Sequence, residues 1–126
     1  MINVLQINFT TEQINEINYG ATYPDYYNAY MKTVWDGDVY EAWDKGLYDH
    51  VADVSVDDID TAFVVMNRWN SVDEKLVRRY KPLHSMSVGE ILLTNFPTQR
   101  YEQYAVAPVG FSPLKLKNAH IPLVTG

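Results

Sequence analysis

The chain has 126 residues, 47% hydrophobic and 13% aromatic, with a formal net charge of −6 and no cysteine. That is enough apolar material for one folded core and too much for a disordered chain, while the missing thiols exclude disulfides, thiolate metal sites and a cysteine nucleophile. No apolar run approaches the roughly 18 residues needed to cross a bilayer, and Met1-Ile2-Asn3-Val4 lacks the basic segment that opens a secretion signal; a cytoplasmic protein without a membrane partner is expected.

Ile2, Val4, Leu5, Ile7 and Phe9 come close to period two, which predicts a strand over 2–9. Thr10 and Gln13 have capping-box spacing and Gly20 is a stop, so a helix follows over 11–18. Pro24 suits the first turn of a second helix, whose Tyr23, Tyr26, Tyr27, Tyr30, Met31 and Val34 fall on one face. After Asp36-Gly37-Asp38 the helical spacing returns at Val39, Ala42 and Trp43 until Gly46, and a short helical segment is expected over 47–52. Ser55 and Asp58 resemble a capping pair, and Ile59, Ala62, Phe63 and Met66 mark the buried stripe of a helix over about 56–67.

Residues 68–83 read as a charged connection with at most one helical turn around 72–79, ended by Pro82. Strands over 88–94 and 101–106, joined by the loop 95–100, then form a hairpin. Gly110-Phe111 and Leu114-Lys115-Leu116 offer one more short strand. The expected fold is a single α+β domain: a small, mostly antiparallel sheet with several packed helices, its first half (1–67) acidic and its last part (83–116) a box and hairpin.

Several stretches resemble the YodL-like proteins, small proteins of phages and mobile elements. The resemblance is carried by Asp57-Asp58-Ile59, Phe63, Asn67, the box Leu83-His84-Ser85-Met86-Ser87-Val88-Gly89-Glu90-Ile91, Tyr104-Ala105-Val106 and Gly110-Phe111. It covers about 55–115, with Glu90 where that pattern usually has Asp and with a more basic 68–81. It implies an α+β fold and a phage or mobile-element origin, and it brings no activity, cofactor or site residue with it.

The charge is divided along the chain. Residues 1–60 hold twelve acids against two lysines, and residues 61–126 four acids against eight bases. Seven of the ten tyrosines also precede residue 50. Exposed aromatics ringed by carboxylates suit a protein-binding surface that engages a basic groove. Asp36, Asp38, Glu41, Asp44, Asp57, Asp58 and Asp60 are therefore read as partner-binding residues forming one continuous acidic face. The expected function is an accessory protein that binds a host macromolecule, in the form of an inhibitor of a host defence or nucleic-acid enzyme. The second reading is a small nucleic-acid-binding regulator using Lys75, Arg78, Arg79 and Lys81, with Arg100 nearby and Trp69 and Tyr80 as stacking groups.

No catalytic residue, metal ligand or cofactor is assigned. If residues 84–89 are extended, His84 and Met86 face away from Ser85 and Ser87, and no Gly-x-Ser-x-Gly elbow is present. His50, His84 and His120 have no metal-ligand spacing, and Asp36-Gly37-Asp38 lacks the later ligands of a calcium loop. Ser85 and Ser87 are instead expected to bond backbone groups, with Gly89 permitting a bulge or a close approach.

Overall fold

A computed structural model describes residues 1–67, 73–94, 102–117 and 121–124. Among them are four helices and a six-stranded sheet in the order β3-β2-β1-β4-β5-β6, every neighbouring pair antiparallel. The strands are β1 (Ile2–Ile7), β2 (Tyr48–Val54), β3 (Val77–Arg79), β4 (Ile91–Thr94), β5 (Gln103–Val106) and β6 (Phe111–Pro113). The helices are α1 (Thr11–Tyr19), α2 (Asp25–Asp36), α3 (Tyr40–Asp44) and α4 (Ile59–Asn67). This is the α+β architecture read from the sequence, with helices on both faces of the sheet.

The two faces follow from strand alternation. Ile2, Val4, Val54 and Leu92 point to one side, where Ala62, Val65 and Met66 of α4 complete a core together with Met86. Leu5, Tyr48, Ile91 and Leu93 point to the other, against Ala29 of α2, Ala42 and Trp43 of α3, and Leu116. A register shift between Val4 and Leu5 sets Leu5 opposite His50 and leaves Val51 as the extra residue of β2. The Thr10–Gln13 capping box opens α1 as expected.

Four expectations are corrected. Residues 47–52 are not helical but open β2, a strand with β1 on one side and β3 on the other. Burial on both faces removed the alternation that would have marked it. The helix expected from 56 begins at Ile59, capped not by Ser55 but by Asp58, whose Oδ1 accepts the Thr61 N–H at 2.8 Å. The charged connection has the helical turn expected around 72–79, a 3-10 turn at Asp73–Leu76, but also holds the unexpected edge strand β3. The strand expected over 88–94 starts at Ile91, because 87–90 is a turn. The hairpin β4–β5 is present, while its loop 95–100 and Tyr101 lie outside the described residues.

Gly89 makes that turn. Its φ of +89° takes the left-handed position, Glu90 N–H closes the turn on Ser87 O at 3.3 Å, and Gly89 N–H and Glu90 C=O both bond Val106, a one-residue bulge against β5. A side chain here would meet α2, since a Cβ would lie 2.5 Å from Thr33 O. The expectation of a bulge or close approach at Gly89 is met in both forms.

Candidate functional site

The strand order obliges residues 80–90 to cross from β3, beyond β2 and β1, to β4, and this crossing carries the His84–Glu90 box. Tyr80 N–H bonds Val51 O at 2.8 Å, Lys81 Nζ lies 3.0 Å from Asp49 Oδ1, and Asn8 Nδ2 donates to Pro82 O at 2.9 Å. Gln6, fully buried in β1, then clasps the backbone of His84: its Nε2 donates to His84 O at 2.7 Å and its Oε1 accepts His84 N–H at 3.1 Å. A buried amide serves here as two rungs of a ladder that the non-strand box cannot form itself.

Behind the box sits Glu90, with its side chain only 5% exposed. Its Oε2 accepts the Ser87 N–H at 3.0 Å and the Gln6 Nε2–H at 3.2 Å, whereas its Oε1 is buried with no hydrogen-bond partner. His84 Nδ1 lies 3.1 Å from that oxygen, but the ring N–H is aimed at Ser85 O, 2.9 Å away. Burial pushes the Glu90 carboxyl up to about 8, against the opposing hydrogen bonds from Ser87 and Gln6. The Ser87 side chain, expected to bond backbone, bonds this carboxyl beside its own N–H, and the alternation argument for His84 lapses because 84–89 is not a strand.

Two hollows meet at this box. A cleft of about 30 Å³ is bounded by Tyr30, Thr33 and Val34 of α2 and by His84, Ser87 and Glu90. A groove of about 450 Å³ lies between α1 and the crossing segment, with Ile7, Phe9 and Ile14 as apolar walls and Asp49, Lys81 and His84 as polar ones. Ile7 and His84 belong to both.

A second buried polar cluster looks more like catalytic machinery but is closed. His50 Nε2 and Asn3 Nδ2 each lie 2.7 Å from Asp53 Oδ1, and Tyr80 OH donates to Asp53 Oδ2 at 2.6 Å. Burial raises the Asp53 carboxyl, yet the hydrogen bonds from Tyr80, Asn3 and His50 outweigh it and hold the group below the usual range. Val124 N–H donates to His50 Nδ1 at 2.9 Å, so this nitrogen is the acceptor and Nε2 carries the proton. With both nitrogens engaged, His50 has no lone pair for a substrate.

The acids expected on one face divide between two places. Asp36, Asp38, Glu41 and Asp44 end or follow the helices packed on the Leu5 face, before β2 begins. Asp57, Asp58 and Asp60 follow the end of β2 and start α4, on the Ile2 face. The seven residues of β2 separate the groups by about 20 Å. Glu41 is bonded to Lys32, and Asp38 Oδ1 accepts the Tyr40 N–H at 3.2 Å. Asp58, engaged as a cap, is held below the usual carboxylate range by the Thr61 N–H and hydroxyl. The tyrosine face is likewise split. The residues of α2 that point inward are Ala29 and Thr33; Tyr26 and Tyr30 are half-buried against Phe9, Tyr27 is half-buried between Tyr23 and Tyr30, and Tyr23 is exposed.

Of the basic residues, Lys75 is exposed before β3 and Lys81 is paired with Asp49. Arg78 and Arg79 lie on β3, with the Arg78 guanidinium 5.3 Å from the centre of the Tyr80 ring. Trp69, Arg100 and His120 lie outside the described residues. Among the described residues no three His, Asp or Glu side chains converge as a metal site, and no helix is long and apolar enough to cross a membrane.

The sequence reading missed Glu90 and Gln6 as a pair. The available signal was a lone polar residue inside each of two otherwise apolar runs, Leu5-Gln6-Ile7 and Glu90-Ile91-Leu92-Leu93. No family model matches the chain, and no curated protein or solved structure is significantly similar to it.

Proposed function

We propose that the protein binds a basic surface of a host protein through the corner built by the end of α2, residues 37–44 and the β5–β6 turn. The observation that carries this reading is the exposure of two large apolar side chains among carboxylates. Trp35 is 73% and Val109 92% exposed, and Pro108 Cδ lies 3.8 Å from where a Cβ of Gly37 would stand. Asp36, Asp38 and Asp44, in the segment that follows Trp35, are exposed as well. An aromatic anchor inside a charged rim is the composition of a binding hot spot, with the rim steering approach. Together with the YodL-like resemblance, this makes an accessory protein of a phage or mobile element that acts by occupying a host protein. The nucleic-acid reading has less support, because Lys81 is neutralised by Asp49 and the Tyr80 ring already meets Arg78 and His50.

The test compares immobilised wild type with two variants in host lysate. The first is W35A/D36N/D38N; the second, a control at the far end of the sheet, is D57N/D58N/D60N. The expected partner is retained by wild type and control, lost by the corner variant, and released by moderate salt. A partner held equally by all three, or held through high salt, would refute the assignment.

A further inference from the structure

We propose that the cleft beside Glu90 receives a primary alkylammonium group, with its aliphatic stem lying in the adjoining groove, and that its source is a lysine side chain of the basic partner. The inference deepens the function proposed above, and rests on it, by naming a residue type that the partner presents.

Glu90 Oε1 has the His84 ring nitrogen 3.1 Å away but no hydrogen bond. A buried carboxyl oxygen without a hydrogen bond is costly, and Glu90 Oε1 has none although Oε2 of the same group has two. Glu90 is one wall of a cleft with a volume of about 30 Å³, room for one or two water-sized groups. A terminal –NH₃⁺ is of that size. The donors of the cleft are already engaged: the Thr33 hydroxyl gives its hydrogen to Tyr30 O at 2.6 Å, the His84 Nδ1–H is directed at Ser85 O, and the Ser87 side chain bonds the Glu90 carboxyl. An entering group that brings hydrogens suits what is left, and a cation brings most.

The groove supplies the rest of the fit. It meets the cleft at Ile7 and His84, and its Ile7, Phe9 and Ile14 walls suit the four methylenes of a lysine stem. Lys81 also lines it, and Asp49 at 3.0 Å offsets that charge. Val34, which bounds the cleft, is the neighbour of Trp35 in α2, the helix that serves both the cleft and the acidic corner. A formal net charge of −6 favours approach of a lysine-bearing surface.

Binding of an ammonium is coupled to loss of a proton from the Glu90 carboxyl. The titratable and charged groups near it are His84 on the box, Tyr48 on β2, Tyr30 on α2, and the Lys81–Asp49 pair at the groove. Release of the Glu90 proton makes binding stronger as pH rises. Affinity should rise up to tenfold per pH unit below the Glu90 titration and level off above it.

The experiment is an NMR titration of the whole protein with n-butylammonium and its neutral counterpart n-butanol at pH 6, 7, 8 and 9. N-acetyl-lysine amide and its Nε-acetylated form are titrated alongside. The expected result is amide shifts at Thr33, Ser87, Gly89 and Glu90, butanol at least tenfold weaker than butylammonium, and the stated pH dependence. N-acetyl-lysine amide binds and its acetylated form does not. Glu90→Gln, with its native spectrum verified, loses both the charge selectivity and the pH dependence. Equal binding of butanol, shifts confined to other residues, no binding, or an unchanged preference in E90Q would overturn the site. Binding of butylammonium without N-acetyl-lysine amide would overturn its assignment to a protein side chain. The W35A/D36N/D38N variant keeps the butylammonium response, so failure of the corner as an interface and failure of the cleft are read separately.

Discussion

Replacing Glu90 by glutamine tests whether this buried carboxyl is neutral in the fold, and the expected effect is large. Its folded-state titration near 8 stands well above the ordinary 4.5. A group raised in this way favours folding fully below its unfolded pKa, and the advantage is lost as pH climbs toward its folded one. Wild-type stability should therefore fall between about pH 5 and pH 8 and level off above that. At about 1.4 kcal/mol per pH unit, the full span amounts to about 5 kcal/mol, comparable to much of the net stability of a small domain. The amide introduced by E90Q keeps an oxygen for the Ser87 N–H and the Gln6 amide and cannot ionise. The assay is urea denaturation of wild type and E90Q at half-unit intervals from pH 5 to 9. Every other titration is common to both proteins and cancels in the difference. That difference should move toward E90Q by several kcal/mol between pH 5 and 8. Parallel curves would refute the reasoning and show that Glu90 stays ionised, stabilised by Ser87, Gln6 and His84.

Gly89→Ala should destabilise by about 2 kcal/mol or more in the same urea assay, since it combines a positive φ with a Cβ placed 2.5 Å from Thr33 O. Asp58→Ala should cost about 1 kcal/mol of stability through loss of the α4 cap, whereas Asp58→Asn, an equally good cap, should cost a few tenths at most. Tyr80→Phe removes the hydrogen bond to Asp53 Oδ2 and should raise the Asp53 titration. Because that carboxyl is depressed in the fold, it stabilises above its unfolded pKa of about 3.8 and the gain disappears as pH falls through its folded value. The acid-unfolding midpoint of Y80F should consequently move to higher pH, as followed by circular dichroism.

The elements legible in the sequence were those with a period, an apolar run or a cap, even where both faces are buried, as in β1. β1, α1, α4 and the β4–β5 hairpin all announce themselves by period or by a cap. β2 did not, because Tyr48–Val54 is buried on both sides and carries His50 and Asp53 inside, so it resembles neither an alternating strand nor an apolar one. β3 was hidden for the opposite reason: three residues at a sheet edge, two of them exposed arginines, look like any charged linker. The box was legible as a motif and not as a shape. Reading 84–89 as extended put His84 on the wrong side of the argument, because only the long-range bonds to Gln6, 78 residues away, fix where its ring goes. The acidic segment was legible as a charge density, but its division by a strand depends on finding β2.

That division also changes what the charge asymmetry of the chain means. Along the sequence, twelve acids precede residue 61 and eight bases follow it. In the fold, β3 lies antiparallel on β2 with Arg78 opposite Asp53, the Arg78 guanidinium rests on the Tyr80 ring, and Lys81 reaches Asp49. The basic segment thus runs beside β2, where Lys81 offsets Asp49. Negative charge is left at the two ends of β2, one group carried by 36–44 and the other by 57–60. Among the described residues the first of these ends has the larger apolar exposure beside its carboxylates, Trp35 at 73% and Tyr40 at 45% against Val64 at 43% beside the second, and the second is a helix start in which acids are favoured by the backbone dipole. Charge density alone ranks the two ends as equals; what separates them is the apolar surface that a partner would remove from water, and this favours recognition at the corner that shares α2 with the Glu90 cleft.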